Sequence, residues 1–316
     1  MKKTGCIPIL RGNTKAEIYD REIFISPELL IFYPKTAIER IEKMVEVITS
    51  RSNPLVKFAA SLKDKKWRER ERAFIAEGEK LTIEALCEGL PVSYVFISEG
   101  KYERVKERIL PHLEKSGDKN IKAVVLSDSA FEKISTEISP QGVISVIKYL
   151  DFFSIIDIIY KKEYFLREHE RAIILSSVRD PGNLGAVIRS CVAFGVERII
   201  LTGDCADVYN PKVVRSAMGS LFRVKITVIN DSIELVRLLK EQGRRIFAAE
   251  LRDGAVPISE ASLTPDDIIM IGNEGHGIDP DISAECTKSV YLPISKNTES
   301  LNASVAAAIF MWEQNK

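Results

Sequence analysis

The residues best suited to chemistry in this 316-residue chain lie in loops that follow predicted strands. The first loop, residues 180–189, reads Asp-Pro-Gly-Asn-Leu-Gly-Ala-Val-Ile-Arg and opens a helix. Asp180 or Asn183 could cap that helix, and Gly185 would let another backbone approach closely. Arg189 follows Asn183 by six residues, where it is either a functional cation or a surface arginine of an amphipathic helix. The G-x-G-x-x-G and G-K-[ST] patterns are missing here, which argues against a dinucleotide-binding or phosphate-loop enzyme.

Two further loops carry glycines, amides and hydroxyls. Residues 272–277 read Gly-Asn-Glu-Gly-His-Gly after an apolar segment, and this glycine density permits close approach of a ligand. A structural turn after a buried strand would have the same composition. In the third loop, Leu-Pro-Ile at 292–294 is followed by a polar stretch and then by Ser-Leu-Asn at 300–302, where a helix begins. Taken alone, that segment indicates only a capped core helix.

The elements that must position these loops alternate between strand and helix from residue 171 onward. Such alternation predicts a mostly parallel sheet covered on both faces, with ligands at the carboxyl ends of its strands. The predicted strands are 172–175, 199–201, 225–229, 245–249, 268–271 and 290–292. The predicted helices are 184–194, 211–218, 233–239 and 300–313.

A second alternating unit precedes this one, over residues 44–150. Asn53-Pro54 predicts the start of a helix, and β-branched or apolar runs predict strands at 73–76, 92–97, 122–126 and 143–147. Residues 151–170 mix charged and apolar side chains and predict a hinge or linker helix. Residues 1–43 follow no clear period, so they are either upstream sequence that is not native or a weakly packed extension.

Composition excludes several classes of protein. The chain has 45 basic and 45 acidic residues, so net charge indicates no partner, and no apolar run approaches the length of a membrane helix. Its five cysteines are scattered and form no C-x-x-C, which favours reduced thiols in the cytoplasm. Three histidines without metal-ligand spacing argue against a histidine-based metal site.

Positive charge is concentrated locally, in residues 51–72. Eight basic side chains face three acidic ones there, with Trp67 among them. A basic patch with an aromatic residue suits binding of the phosphate backbone of RNA, although a solvated helix face has the same composition. Four of these side chains are the candidate RNA contacts: Arg51, Lys65, Lys66 and Arg68.

Together, the three loops closely resemble the motifs of the SpoU (TrmH) family of RNA 2′-O-ribose methyltransferases in the SPOUT superfamily. The motifs are Asn-x-Gly-x3-Arg, Gly-Asn-Glu-Gly-His-Gly and Leu-Pro-Ile-x5-Ser-Leu-Asn-x-Ser, within residues 171–313. Residues 48–54, Ile-Thr-Ser-Arg-Ser-Asn-Pro, and 74–78, Phe-Ile-Ala-Glu-Gly, resemble the L30e-like substrate-binding domain of members that methylate ribosomal RNA. The resemblance therefore implies an L30e-like α/β domain at 44–150, a linker at 151–170 and a SPOUT domain at 171–316 whose parallel sheet forms a trefoil knot.

The resemblance also implies a cofactor, S-adenosylmethionine, and a homodimer whose active site forms at the subunit interface. The cofactor would lie among seven residues of the second and third motifs: Gly272, Asn273, Glu274, Gly277, Leu292, Ile294 and Leu301. No metal ion is implied.

The same resemblance implies catalytic roles for four residues: Arg189, Asn183, Ser300 and Asn302. The ribose 2′-oxygen would attack the methyl group in line. A free guanidine base is costly because the pKa of arginine exceeds about 12, so we expect Arg189 to hold the substrate phosphate or ribose. That phosphate would then assist removal of the proton. Lys212, Arg215 and Ser216 match another family segment, and Lys212 and Arg215 are expected to contact RNA phosphate.

The leading hypothesis is methylation of 23S ribosomal RNA, with the N-terminal domain choosing the site. A transfer-RNA methyltransferase is the alternative enzyme, although such members usually have short helical extensions instead of a domain of this size. A binding or ribosome-assembly factor that has lost methyl transfer is a third hypothesis, disfavoured by the intact Asn183, Arg189 and Ser-Leu-Asn segment. A role in antibiotic resistance is neither favoured nor excluded.

Overall fold

The computed structural model describes residues 46–118, 120–150, 153–156, 166–298 and 300–316. The predicted extension at 1–43 lies outside the described residues, as does most of the predicted linker. The described chain forms two sheets, one of five and one of eight strands, each with helices on both faces.

The N-terminal sheet has the strand order β1-β4-β3-β5-β2. Its strands are β1 (Glu46–Ile48), β2 (Ala73–Glu77), β3 (Val92–Ser98), β4 (Lys122–Leu126) and β5 (Val143–Lys148). Its helices are α1 (Pro54–Ser61), α2 (Lys65–Glu71), α3 (Glu79–Cys87), α4 (Tyr102–Ser116) and α5 (Asp128–Ile134). Strands β1, β4 and β3 are parallel, whereas β5 runs antiparallel to both β3 and β2. The predicted helix start at Asn53-Pro54 is confirmed, because the Asn53 side chain accepts a hydrogen bond from the Leu55 N–H at 2.8 Å.

The C-terminal sheet is parallel at every pairing that the structure describes, in the order β11-β13-β10-β12-β7-β8-β9-β6. Its strands are β6 (Phe153–Ile156), β7 (Ala172–Ser176), β8 (Arg198–Thr202), β9 (Lys225–Ile229), β10 (Ile246–Ala249), β11 (Val256–Pro257), β12 (Ile268–Ile271) and β13 (Lys288–Tyr291). Its helices are α6 (Pro181–Ala193), α7 (Pro211–Ala217), α8 (Ser232–Glu241), α9 (Pro280–Glu285) and α10 (Ala303–Glu313). The predicted parallel sheet covered on both faces is therefore confirmed.

Strand β6 corrects the predicted hinge or linker helix of 151–170 at residues 153–156, and residues 151–152 and 157–165 of that segment lie outside the described residues. Residues Phe153–Ile156 pair in parallel with Ile226–Ile229 and form one edge of the C-terminal sheet. The apolar β-branched residues at 155 and 156 are compatible with a strand or with a helix, so the sequence alone does not decide between them. The strand forms because β9 offers a free edge with which these residues pair.

The strand order reverses between β7 and β12, which are paired neighbours. From β7 the chain proceeds outward through β8 and β9, and it then crosses to β10 on the far side of β12. The carboxyl ends of β7 and β12 therefore lie at the point where the strand order reverses, which is the usual ligand position in an open parallel sheet. The first two sequence motifs lie in the loops that follow these two strands.

Candidate active site

The first motif is held by the start of helix α6. Pro181 occupies the first turn, and the Asp180 carboxylate caps the helix by accepting the Asn183 N–H at 2.8 Å. This hydrogen bond, together with one from the Lys212 ammonium, keeps the pKa of Asp180 below its usual value. Of the two candidate caps, Asp180 is therefore the one used, which leaves the side chain of Asn183 available for other contacts.

Helix α6 needs a glycine where it crosses α7. A Cβ atom at Gly185 would lie 1.9 Å from the Ser216 hydroxyl oxygen and 2.8 Å from the Val213 carbonyl oxygen. The predicted close approach at Gly185 is confirmed, and it fixes α6 against α7.

The second motif forms a tight loop closed by backbone hydrogen bonds. The Asn273 N–H donates to the Gly277 carbonyl at 2.9 Å, and the Gly277 N–H donates back to the Asn273 carbonyl at 3.0 Å. Gly277 has φ of 71°, a conformation that favours glycine. A Cβ atom at Gly272 would lie 2.4 Å from the carbonyl carbon of Gly277, so only glycine fits under this closure.

Asn273 fastens this loop to the loop after β7. Its Nδ2 donates to the Ser177 carbonyl at 2.8 Å, while its Oδ1 accepts N–H groups from Gly275 and His276. Ser177 itself has φ of 57°, which is uncommon for a residue with a side chain. Ser177 is not among the residues predicted from the sequence, because its contribution is a carbonyl group and a backbone conformation that its residue type does not indicate.

An amide network joins all three motifs at one point. The Nδ2 of Asn183 donates to Oε1 of Glu274 at 2.7 Å, and the Nδ2 of Asn302 donates to Oδ1 of Asn183 at 2.8 Å. The Oδ1 of Asn302 also caps helix α10 by accepting the Ser304 N–H at 2.9 Å. The side-chain amide of Asn183 is thus held from both ends, and its orientation is fixed. Sequence reasoning placed Asn183 and Asn302 in one site and Glu274 beside it, and the structure brings all three together.

Arg189 lies about one and a half turns beyond Asn183 on α6, roughly 9 Å along the helix axis. Its side chain is exposed. Among the described residues it makes no ion pair or hydrogen bond within the chain. A guanidinium that no carboxylate neutralises is free to bind an anion from outside.

The predicted cofactor residues differ in exposure. Gly272 is buried, Asn273 and Leu292 are half-buried, and Glu274 is exposed. Ile294 and Leu301 are 38% and 36% exposed, and so present apolar surface to solvent. Ser300 is exposed, and its carbonyl accepts the Thr298 hydroxyl at 3.2 Å. A closed glycine loop, half-exposed apolar side chains and backbone groups of the second and third motifs fit a flat, uncharged ring such as the adenine of S-adenosylmethionine.

The predicted RNA contacts divide into two groups. The first group is exposed and comprises Arg51, Lys65 and Lys66. The ion pair of Lys65 with Glu69 is long, with 3.8 Å between Nζ and Oε1. Lys212 and Arg215 are partly exposed but pair with acidic residues, Lys212 with Asp180 at 3.2 Å and Arg215 with Glu137.

The prediction that Arg68 contacts RNA is wrong. Its side chain is 2% exposed and donates to the carboxylate of Asp207 and to two backbone carbonyls. The charge count over residues 51–72 could not separate this arginine from its neighbours, because α2 presents only one side to solvent.

The described residues contain neither a metal-binding cluster nor a membrane-spanning helix. No group of three or more His, Cys, Asp or Glu side chains there could hold a metal ion. A helix with the length and apolarity needed to cross a bilayer is likewise missing from this part of the chain.

Two protein families match the chain in separate regions. Residues 53–145 match the MRM3-like substrate binding domain, and residues 170–312 match the SpoU rRNA Methylase family.

Curated and solved relatives match both regions at once. The 23S rRNA (guanosine(2553)-2′-O)-methyltransferase of Bacillus subtilis is 31% identical over 84% of this chain and 97% of its own length. The crystal structure of an AdoMet-bound rRNA methyltransferase from Sinorhizobium meliloti covers 86% of this chain and 97% of its own, with 27% identity and a TM-score of 0.71. A putative RNA methyltransferase of the TrmH family from Porphyromonas gingivalis covers 83% of this chain and 97% of its own, with 31% identity and a TM-score of 0.67.

The fold and the site define an RNA 2′-O-methyltransferase that uses S-adenosylmethionine. The chain belongs to the SpoU rRNA Methylase family. The resemblance inferred from the three motifs is confirmed, and so is the α/β fold, while the trefoil knot stays a prediction.

Proposed function

We propose that this protein methylates a ribose 2′-oxygen of 23S ribosomal RNA in the cytoplasm. The reaction class follows from the family, and the similar Bacillus subtilis protein is named for this reaction on 23S rRNA. The observation that carries the proposal is the Asn302–Asn183–Glu274 network, because it joins polar groups of all three motifs on the helix that also carries the exposed, unneutralised Arg189.

The second and third motifs are the proposed cofactor site. Gly272, Asn273 and Gly277 form its floor, and Leu292, Ile294 and Leu301 supply apolar contacts. S-adenosylmethionine bound there supplies an activated methyl group. Backbone groups and apolar side chains dominate this surface, which suits recognition of a nucleoside more than that of a highly charged ligand.

Arg189 is the proposed anchor for the target nucleotide. Its guanidinium binds the phosphate or ribose of the substrate, and Asn183, locked between Glu274 and Asn302, orients the sugar. Alignment of two reactants can contribute up to about 7–11 kcal/mol to the lowering of a barrier. A guanidinium keeps its proton at neutral pH, so Arg189 is not the proton acceptor, and the substrate phosphate that it holds assists removal of the 2′-hydroxyl proton. Ser300 completes the proposed site beside the sugar.

The N-terminal domain is the proposed RNA anchor. Arg51, Lys65 and Lys66 are exposed cations of this domain, and Trp67 is 36% exposed with the Arg70 guanidinium 4.9 Å from its ring centroid. Cations next to an aromatic ring suit a backbone phosphate beside an unstacked base. Lys212 and Arg215 would join this surface by exchanging their acidic partners for phosphate.

We also propose a homodimer. Helix α10 exposes an apolar stripe formed by Val305, Ile309 and Trp312, which are 47%, 37% and 57% exposed. These residues recur at helical spacing, and with Ser190 they line a shallow groove between α10 and α6. An apolar face beside the active site suits a second copy of the chain, as the resemblance to the family implies.

The test is methyl transfer to separated RNA pools that lack the native modification. Purified protein and labelled S-adenosylmethionine are incubated with 23S rRNA, 16S rRNA and transfer RNA. The proposal predicts label in 23S rRNA alone. Label in transfer RNA would favour the alternative substrate. No label in any pool, with the cofactor bound, would favour an assembly factor and contradict the proposal.

A further inference from the structure

A buried ion pair connects the two domains. The Nε and Nη2 atoms of Arg68, in α2, donate to Oδ2 of Asp207 in the C-terminal domain at 3.0 and 2.5 Å. The Nη1 atom of Arg68 donates to the carbonyls of Leu62 and Lys63, at 2.9 and 2.5 Å. The side chains of the pair are only 2% and 15% exposed. All three nitrogens of this guanidinium therefore donate inside the protein, through four of its five N–H groups.

Next to the pair, an aromatic stack crosses the same boundary. Tyr209 is 1% exposed and lies between Phe74 of β2 and Tyr149, with ring centroids 4.5 and 4.2 Å away. Its hydroxyl accepts the Leu150 N–H at 3.1 Å. Asp207 Oδ1 accepts the Tyr209 N–H at 3.0 Å, so the stack and the ion pair belong to one short segment.

This segment leads directly into the element that supports the candidate active site. Asn210 caps helix α7, which pairs through Arg215 with Glu137 of the N-terminal domain. On its other side α7 packs against α6, where Ser216 lies over Gly185. Helix α6 carries Asn183 and Arg189. A continuous set of packed groups thus runs from α2, through residues 207–217, to the proposed catalytic residues.

The energetics of a buried ion pair favour a role in geometry. Removing two charges from water costs about as much as their attraction returns, so such a pair contributes little net stability compared with apolar residues. Docking at any other angle, however, would leave a buried charge without its partner, which is strongly unfavourable. The pair therefore selects one arrangement of the two domains.

We infer that Arg68, Asp207 and Tyr209 are positioning residues that set the distance between the RNA anchor and the methylated ribose. This inference rests on the proposed function. RNA held by the exposed cations of the N-terminal domain reaches Arg189 only when that domain is docked at the observed angle. The pair thereby acts as a fixed spacer that specifies which nucleotide enters the site.

The experiment compares full-length Asp207→Ala and Tyr209→Phe with the wild type and with Arg245→Ala. Arg245 makes a bidentate pair with Asp267, at 2.7 and 2.6 Å, inside the C-terminal domain. Its removal is a matched control for loss of a comparable ion pair that does not cross the boundary. Tyr209→Phe keeps the aromatic stack and loses only the hydroxyl, so it serves if Asp207→Ala folds poorly.

Hydrogen exchange, cofactor affinity, rRNA affinity and kcat are measured on each variant. For Asp207→Ala we expect faster exchange in residues 62–76 and 207–217, cofactor and rRNA affinities within about twofold of the wild type, and kcat lower by roughly 10- to 100-fold. Tyr209→Phe should change in the same direction by a smaller factor. Arg245→Ala should keep the wild-type kcat.

An unchanged kcat in a variant whose boundary exchanges faster would overturn the inference. So would weaker rRNA binding at unchanged kcat, because the pair would then belong to the binding surface. The wild type is assayed first on 23S rRNA. Failure of that assay would count against the proposed function, whereas active wild type and equally active Asp207→Ala would count against the inference alone.

Discussion

Replacement of Gly272 by alanine tests the proposed cofactor loop at its most constrained position. The added Cβ would lie 2.4 Å from the carbonyl carbon of Gly277, 2.6 Å from its oxygen and 2.6 Å from the Ile278 nitrogen. All three are backbone atoms, so no side-chain rotation can relieve the contact. The loop must open, and opening breaks the two hydrogen bonds between Asn273 and Gly277.

The size of the effect follows from these contacts. Two backbone hydrogen bonds contribute about 1 kcal/mol each, and overpacking of this kind typically costs about 1–3 kcal/mol. We expect the free energy of unfolding to fall by about 3–5 kcal/mol. If the closed loop becomes unfavourable by about 2 kcal/mol, only a few per cent of molecules remain competent to bind. The apparent Kd for S-adenosylmethionine then rises about 30-fold.

Gly275→Ala is the matched control, three positions along the same loop. A Cβ atom there meets only Oδ1 of Asn273, at 3.6 Å, which is ordinary van der Waals contact. Calorimetric titration with S-adenosylmethionine and thermal denaturation should show near wild-type values for Gly275→Ala and large losses for Gly272→Ala. Wild-type affinity in Gly272→Ala, or equal losses in both variants, would refute the assignment of this loop to the cofactor.

Three further predictions concern catalysis, RNA binding and acid stability. Asn183→Asp replaces the amide that donates to Glu274 with a second carboxylate. The kcat in the methyl-transfer assay should therefore fall at least about 10-fold. An unchanged kcat would exclude Asn183 from the site. Replacement of Lys65 and Lys66 by glutamate should reduce the slope of log binding constant against log salt concentration for rRNA, by roughly 0.7–0.9 per lost phosphate contact. An unchanged slope would indicate that these two lysines belong to a solvated helix face and do not contact RNA. Burial opposes ionisation of Glu170, yet the Arg167 N–H and the charges of Arg198 and Lys225 hold its pKa below the usual value. The folded state thus releases this proton more readily than the unfolded chain does, so the ionised carboxylate stabilises the fold. Urea unfolding should show that this stabilisation is complete above about pH 5 and disappears as the pH falls. The Glu170→Gln variant should lack this pH-dependent stabilisation.

The sequence predicted the elements of the C-terminal domain well because its strands are apolar runs of β-branched residues bounded by turns. The predicted bounds of the strands at 225–229 and 268–271 agree with the structure. Helix α10 begins at Ala303 and not at Ser300, because Asn302 serves as the cap. The resemblance to the family implies a place for Asn302 in the site, but its capping bond is visible only in the folded backbone.

Long-range contacts account for what the sequence did not predict. The hydrogen bond between Asn183 and Glu274 joins residues 91 positions apart. The burial of Arg68 depends on Asp207, 139 positions away, and no local pattern distinguishes it from the exposed Lys65 and Lys66. Strand β6 forms because β9 offers an edge for pairing, which again is a property of the assembled sheet. The domain bounds inferred from composition, the knot and the homodimer stay predictions.

The central claim is that the chain transfers a methyl group to a ribose 2′-oxygen with Arg189 in the site. The most direct measurement is nucleoside mass spectrometry of 23S rRNA after reaction with the wild type and with Arg189→Ala. We expect a nucleoside methylated on its ribose for the wild type. We expect almost none for Arg189→Ala, although that variant should still bind S-adenosylmethionine. A methyl group on the base, or undiminished transfer by Arg189→Ala, would contradict this claim.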